Sequence, residues 1–237
     1  MQQRPPRARQ GQQVHLGLVK VNKNRIEALS DGVFAIAMTL LVLNIQPPDG
    51  DGWVTKLLGL WPGLLTYVLS FALAGVYWVS QHFQFQYIKQ VNRPLLWINL
   101  LYLLLIGFIP FSTALLSRHW QDKLAIIIYG CHLIAIGIVV YGHWWYVTSS
   151  KLLASEQVTP HLVRSAKVRI IISPLICLVA IAISFFNPLI SLLCYAVIPI
   201  VYIIPSQVDW HWTGRQQPPT STKSSQAEEE SASLIEE

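Results

Sequence analysis

Polar and ionisable side chains stand at the start of the first long apolar segment of this chain. Arg25, Ser30 and Asp31 belong to the segment RIEALSDG, which runs directly into VFAIAMTLLVLNI. If a helix begins near Arg25, Asp31 lies about 9 Å inside it, at a rise of ~1.5 Å per residue. A carboxylate inside a membrane helix is costly unless it is paired or hydrated, so it marks a functional position by default. Its possible chemistry is a polar contact between helices, proton transfer with a histidine, or contact with a cation.

The elements that position these residues are membrane helices. The chain has 237 residues, of which 53% are hydrophobic and only 12% charged, and its mean hydropathy is +0.44. These values indicate an all-α integral membrane protein rather than a soluble domain. Apolar runs bounded by Pro, Gly, Asn and charged residues predict six transmembrane helices. We place them at 25–46, 57–81, 95–117, 123–147, 168–186 and 189–205.

The distribution of basic residues predicts the orientation and the domain boundaries. Fourteen of the 17 lysines and arginines fall on one side of the six predicted spans, which places both termini in the cytoplasm. This topology, rather than nucleic-acid binding, accounts for the net charge of +5. We predict a mobile basic tail over 1–20, a transmembrane domain over 21–212 and a disordered polar and acidic tail over 213–237.

The predicted topology brings polar residues from three spans to one depth. Ser30 and Asp31 lie just inside the first span, with Arg25 below them, while His82 ends the second span and Asn99 lies near the start of the third. Polar groups in hydrocarbon gain by contacting one another. These five residues are therefore predicted to form a network that holds the first helix. The alternative is that His82 and Asn99 are interfacial residues with separate partners.

Other chemistries at this position have less support. One His, one Asp and one Asn without a fourth ligand form a poor metal site. Asp31 and His82 could act as an acid and a base, but the sequence offers neither a nucleophile nor a substrate pocket. We therefore predict no enzyme activity, no cofactor and no resident metal.

Above the polar residues, the first span carries an apolar face. Ile36, Leu40 and Leu43 recur at i, i+4 and i+7, and therefore share one side of a helix. Leu29 and Val33 continue this side toward the start of the span. Taken alone, such a stripe indicates contact with lipid or with a neighbouring helix.

The segment R-x-x-x-L-S-D-G-V-F-A-I-A-M-T-L-L-V-L-N-I, from Arg25 onward, resembles the signature of the transmembrane protein 175 family of potassium channels, in its prokaryotic single-repeat branch. Trp78-Val-Ser-Gln-His82 at the end of the second span and Asn99 in the third add to the resemblance. One position departs from the pattern, because Leu29 stands where the family has Phe. A leucine can still fill an apolar niche, so this change bears on the detailed position of the first helix rather than on the channel identity.

The resemblance implies a specific architecture and function. Members have six helices per repeat, and prokaryotic subunits assemble as a homotetramer in which the first helix of each lines a central pore. Rings of apolar side chains, here Ile36, Leu40 and Leu43, form the constriction in place of a TVGYG carbonyl filter. The resemblance also implies that five polar residues form the network that holds the first helix in place: Arg25, Ser30, Asp31, His82 and Asn99. The expected protein is a passive, potassium-preferring channel in the cytoplasmic membrane of a prokaryote.

Two other functions compete with this interpretation. A proton-coupled secondary transporter would use Asp31 and His82, but the chain has no convincing inverted repeat or paired broken helices, which transporters commonly show. A membrane enzyme or an accessory subunit has thinner support, since the loops are too short for a soluble catalytic domain.

Overall fold

The computed structural model describes residues 22–50, 52–150 and 153–203, and this part of the chain is helical. The tails predicted over 1–20 and 213–237 lie outside the described residues. The helices are α1 (Lys23–Val42), α2 (Trp53–Leu58), α3 (Trp61–Gln86), α4 (Arg93–Arg118), α5 (Lys123–Ser149), α6 (Pro160–Ser184) and α7 (Pro188–Ile203).

Local sequence signals set most of the helix starts. The side chains of Asn22, Asn92, Asp122 and Thr159 each accept a hydrogen bond from a backbone N–H in the first turn of the helix that follows. Such caps satisfy amide donors that a helix leaves without partners at its N-terminus. Prolines stand in the first turn of α3, α4 and α6, where a missing N–H costs nothing.

The observed helices correct several predicted boundaries. The first helix ends at Val42 rather than at 46, and the segment predicted as one span over 57–81 contains the end of the short helix α2 and most of α3. Pro62, inside the span predicted over 57–81, lies in the first turn of α3. The helix predicted over 168–186 already begins at Pro160, because the charged turns before the apolar run are helical too.

Four of these helices, α3, α4, α5 and α6, are long and apolar enough to cross a membrane. The helix α7 is apolar but has only 16 residues. The helix α1 has 20 residues, about 30 Å of rise, and its first turns contain Lys23, Arg25, Glu27 and Asp31. This polar start leaves α1 a shorter apolar part than the four longer helices have.

The helix α1 lies on one side of the bundle, against α3 and α4, while α5 packs against α4 and α6. Its buried residues are Ile26, Ser30, Phe34, Ala37 and Leu41. They recur every three to four positions, which defines a single helix face. The opposite face of α1 is largely exposed in the single chain, and it carries the residues predicted to line a pore, Ile36, Leu40 and Leu43.

Candidate functional site

The start of α1 is joined to α3 and α4 by three buried side chains, Ser30, Gln81 and Asn99, which we call the polar cluster. The Gln81 amide donates to Ser30 Oγ at 2.9 Å and to Asn99 Oδ1 at 2.8 Å. Asn99 Nδ2 lies 3.4 Å from Ser30 Oγ, and Ser30 in turn donates to the backbone oxygen of Ile26 at 2.9 Å. All three side chains are at least nine-tenths buried. One residue from each of three helices thus meets in a closed set of hydrogen bonds.

Gln81 was missed in the sequence analysis, although a signal for it existed. Buried residues of α3 recur at Leu73, Ala74, Tyr77, Gln81 and Gln84. Gln81 therefore continues the buried stripe, whereas His82 lies about 100° further round the helix. The titratable His82 is thus on the exposed side of α3, and its neighbour Gln81 is on the packed face.

Asp31 and His82 lie at the exposed rim beside this cluster. Asp31 Oδ1 accepts a hydrogen bond of 2.9 Å from Trp78 Nε1. The Trp78 ring stacks on the His82 ring, with 5.7 Å between centroids and 19° between planes. His82 Nε2 also lies 3.3 Å from Gln86 Nε2. Trp78 thus contacts both titratable residues.

Arg25 is exposed one to two turns before Asp31. The described residues hold two ion pairs, Lys23 with Glu27 and Lys89 with Glu156, and Arg25 takes part in neither. Its guanidinium therefore lies outside the hydrogen-bonded polar cluster. The five residues of the predicted network occupy one end of the bundle, but only Ser30 and Asn99 share the buried hydrogen bonds.

A half-open cleft of about 190 Å³ adjoins the polar cluster. Glu27 and Asp31 from α1, and Trp78 and His82 from α3, contribute to its walls, and Gln81 forms part of its base. The cleft presents carboxylates and aromatic rings to the outside of the single chain. Within the described residues, no group of three or more His, Cys, Asp or Glu side chains is placed to hold a metal ion.

The apolar face of α1 is uncovered in the single chain. Ile36 is 61% exposed, Leu40 42% and Leu43 63%. Leu29, the residue that departs from the family pattern, is 47% exposed on the same side. Branched aliphatic side chains in a row at this exposure must contact lipid, another copy of the chain or a shared pore.

The far end of α1 is attached to α4 by a contact that the sequence analysis missed. Asn44 follows the last turn of α1, and its Nδ2 donates to the backbone oxygen of Pro110 at 3.0 Å. Pro110 lies inside α4, at a position where proline disturbs the regular helical hydrogen bonds. The segment that carries Ile36, Leu40 and Leu43 is thus fixed at both ends, by the polar cluster and by Asn44.

A family model described as "Endosomal/lysosomal potassium channel TMEM175" matches residues 25–110, which include every residue of the candidate site. A potassium channel of Chamaesiphon minutus is 36% identical over 190 residues, covering 77% of this chain and 94% of the relative. A potassium channel of Streptomyces collinus is 32% identical over 185 residues, covering 75% of this chain and 90% of that relative. The chain belongs to the TMEM175 family. The family expected from the segment after Arg25 is thereby confirmed.

Solved structures of TMEM175 proteins extend the similarity to the fold. The crystal structure of a lysosomal potassium-selective channel TMEM175 homolog from Chamaesiphon minutus is 35% identical, with a TM-score of 0.68, and the match covers 76% of this chain and 95% of that one. The human relative, named an endosomal/lysosomal proton channel, is 30% identical over 154 residues, which is 59% of this chain and 30% of the relative. As a TMEM175 member with several apolar helices, the chain is a multi-pass membrane protein of a channel family rather than of an enzyme family.

Proposed function

We propose that this protein is the subunit of a passive, potassium-preferring cation channel whose pore is lined by α1. The observation that carries the proposal is the uncovered apolar face of α1, on a helix that is fixed at both ends. The bacterial relatives named potassium channels support the ion, because they align with about three quarters of this chain. The human relative, which is named a proton channel, aligns with a smaller share of this chain, 59%.

In the proposed channel, Ile36, Leu40 and Leu43 form three stacked apolar rings. A narrow apolar constriction closes a pore by excluding water, and an ion that crosses it must shed part of its hydration. Potassium sheds hydration water more easily than sodium, so such a constriction gives a modest preference without a filter of backbone carbonyls. The chain has no TVGYG string that would supply such a filter.

The polar residues near the start of α1 act in this proposal as a positioning network. Ser30 and Asn99, joined through Gln81, set the depth and rotation of α1 against α3 and α4. Asp31 adds a second contact through Trp78, on which His82 stacks. Arg25, exposed at the same end, stays available for phosphate groups of lipids or for a neighbouring subunit.

The proposed assembly is a homotetramer in the cytoplasmic membrane of a prokaryote. Six helices of each subunit cross the bilayer, with both termini in the cytoplasm, as the bias of basic residues indicates. Four copies of α1 around one axis would cover the apolar face that the single chain leaves open. Potassium ions, lipid and further copies of the chain are then the partners, without cofactor or nucleic acid.

Replacing Leu40 with Asn tests the constriction. A polar side chain in the ring favours water in the pore, so potassium flux into liposomes should rise several-fold at equal amounts of reconstituted protein. The matched control is Leu104→Asn on α4, a leucine that is also exposed on the single chain. Flux that is unchanged or lower for Leu40→Asn, in protein that assembles normally, would contradict the pore assignment.

Planar-bilayer recordings separate a channel from a proton-coupled transporter that uses Asp31 and His82. A channel produces unitary current steps, and with potassium on one side and sodium on the other its reversal potential moves modestly toward the potassium equilibrium potential. A carrier produces no unitary steps. A reversal potential that stays at zero would remove the potassium preference while leaving the channel itself intact.

A further inference from the structure

The first turns of α6 carry a basic face, formed by His161, Arg164 and Lys167. The three residues recur every third position, so they lie on one side of the helix. Leu162 and Ala166, each 5% exposed, pack the other side against the bundle. His161 and Arg164 are exposed and Lys167 is partly exposed. The basic face precedes the apolar part of α6 and therefore lies at one end of the bundle.

No acidic side chain of the described residues pairs with the basic face. The helix α6 contains neither Asp nor Glu. Glu156, in the loop just before α6, is paired with Lys89 at 3.5 Å, and the second ion pair of the described residues belongs to α1. Arg164 and Lys167 thus present positive charge that attracts an anionic partner.

The end of α7 lies beside the basic face. Arg169, two residues after Lys167, donates from Nη2 to the backbone oxygen of Tyr202 at 2.7 Å. The Tyr202 hydroxyl donates in return to the backbone oxygen of Arg169 at 2.6 Å. The described residues end one position later, at Ile203. At a rise of ~1.5 Å per residue, Arg164 and Lys167 lie within about 10 Å, measured along α6, of the point where the chain leaves α7.

The part of the chain that follows α7 holds the matching charge. Residues 204–237 contain six acidic and two basic residues, and thus half of the 12 acidic residues of the protein. Five of the six form two clusters, at 228–230 and 236–237. Because an extended chain spans about 3.3 Å per residue, the segment between Ile203 and Glu228 is long enough to reach the basic face. A ligand tethered in this way reaches effective concentrations on the order of millimolar.

We propose that the acidic segment 228–230 docks on the basic face of α6 and forms ion pairs with Arg164 and Lys167. Exposed ion pairs are individually weak, but several charges on one tether act together. Charge complementarity and the closeness of the end of α7 favour this segment as the occupant. The phosphate groups of anionic lipids carry the same charge, and they are the competing occupant in the experiments below.

Carbodiimide cross-linking of the full chain in lipid vesicles tests the contact. The reagent joins a carboxylate directly to an amine, so Lys167 should give peptides linked to segment 228–230 in a mass spectrum of the digest. Lys123 is the matched control, because it is exposed but lies over the Phe185 ring at the other end of α6. The absence of linkage at Lys167, or equal linkage at Lys123, would overturn the proposal.

Charge reversal with rescue tests whether the contact is ionic. In a background without the three free cysteines, a spin label on Ser231→Cys reports the motion of the acidic segment. Arg164→Glu with Lys167→Glu should speed the motion of the label, and adding Glu228→Lys with Glu229→Lys should slow it again. Equal motion of the label with the native basic face and with the reversed one would overturn the proposal.

Lipid and salt identify the occupant of the basic face. The label should move slowly in phosphatidylcholine vesicles and equally slowly after phosphatidylglycerol is added. Release of the label by phosphatidylglycerol would assign the basic face to anionic lipid and overturn the proposal. At about 1 M salt the screening length falls to about 3 Å, so the label should be released, and a label that stays slow would contradict an ionic contact. None of these experiments measures potassium flux, so the result is independent of the proposed channel function.

Discussion

At the scale of single residues, Gln81 organises the start of α1. Its amide reaches Ser30 and Asn99 on two other helices, and its side chain also lines the open cleft beside the polar cluster. An apolar residue at this position would leave the Oδ1 atom of Asn99 without the hydrogen bond that the Gln81 amide donates. In hydrocarbon no bulk water replaces a lost partner, so these buried hydrogen bonds decide how α1 is held.

Replacing Gln81 with Leu should lower the stability of the channel. The change leaves Asn99 Oδ1 without its donor in a buried site, at a cost of about 1–3 kcal/mol, so the unfolding temperature in detergent should fall by several degrees. Gln90→Leu is the matched control, since Gln90 is exposed near the same end of the bundle. Equal unfolding temperatures for the two variants would mean that the polar cluster contributes nothing to stability.

At the scale of elements, α5 and α6 pack closely because α5 carries a glycine where the helices approach. A Cβ added to Gly137 would lie 2.5 Å from Cγ of Pro174, inside α6. The helix α7 also contacts α5, since the Tyr195 hydroxyl donates to the backbone oxygen of Ile126 at 3.1 Å. Small residues at helix interfaces are the usual means of close approach in membranes.

Gly137→Ala should therefore destabilise the bundle, and Gly142→Ala on the same helix should not. The first change forces α5 and α6 apart and should cost about 1–3 kcal/mol, as overpacking does. The second adds a methyl group in open space, since nothing lies within 4 Å of its Cβ position, and alanine favours a helix by about 1 kcal/mol over glycine. Thermal unfolding of both variants in detergent measures the difference. A lower unfolding temperature for Gly142→Ala than for Gly137→Ala would contradict this packing argument.

At the scale of the whole molecule, symmetry determines which residues meet their own copies. In a closed ring of four subunits, only residues near the axis lie close to the same residue of a neighbour. The proposed pore places Ile36 there. Ile138 of α5 has nearly the same exposure, 63% against 61%, but α5 packs against α4, α6 and α7, and the proposed assembly leaves its exposed side to lipid.

Cysteine cross-linking distinguishes these positions. In a background without Cys131, Cys177 and Cys194, which are free thiols, Ile36→Cys should form covalent dimers with a short bis-maleimide. Neighbouring pore helices pack at axial distances of about 8–10 Å, which such a reagent spans. Ile138→Cys should stay monomeric on the same denaturing gel. Cross-linking at Ile138 but not at Ile36 would place α5 rather than α1 at the axis and refute the proposed assembly.

Sequence alone determined the class of the protein and the faces of its helices. Apolar length and the separation of charges predict membrane helices, because a bilayer requires them whatever the tertiary fold. The residues after Arg25 were enough to predict the family. Likewise, the spacing of Ile36, Leu40 and Leu43 places them on one side of α1 for any helix with 3.6 residues per turn, and the structure leaves that side uncovered.

Only the tertiary structure decided which polar residues meet. Periodicity gives the faces of α3, but not its rotation about its axis relative to α1, because that rotation depends on the packing of all neighbouring helices together. Hence Gln81, and not His82, bonds to Ser30. The contact of Asn44 with Pro110 and the pairing of Gln84 with His143 join residues 66 and 59 positions apart. No local sequence pattern encodes contacts between residues so far apart in the chain, because these contacts form only when separate helices fold against one another.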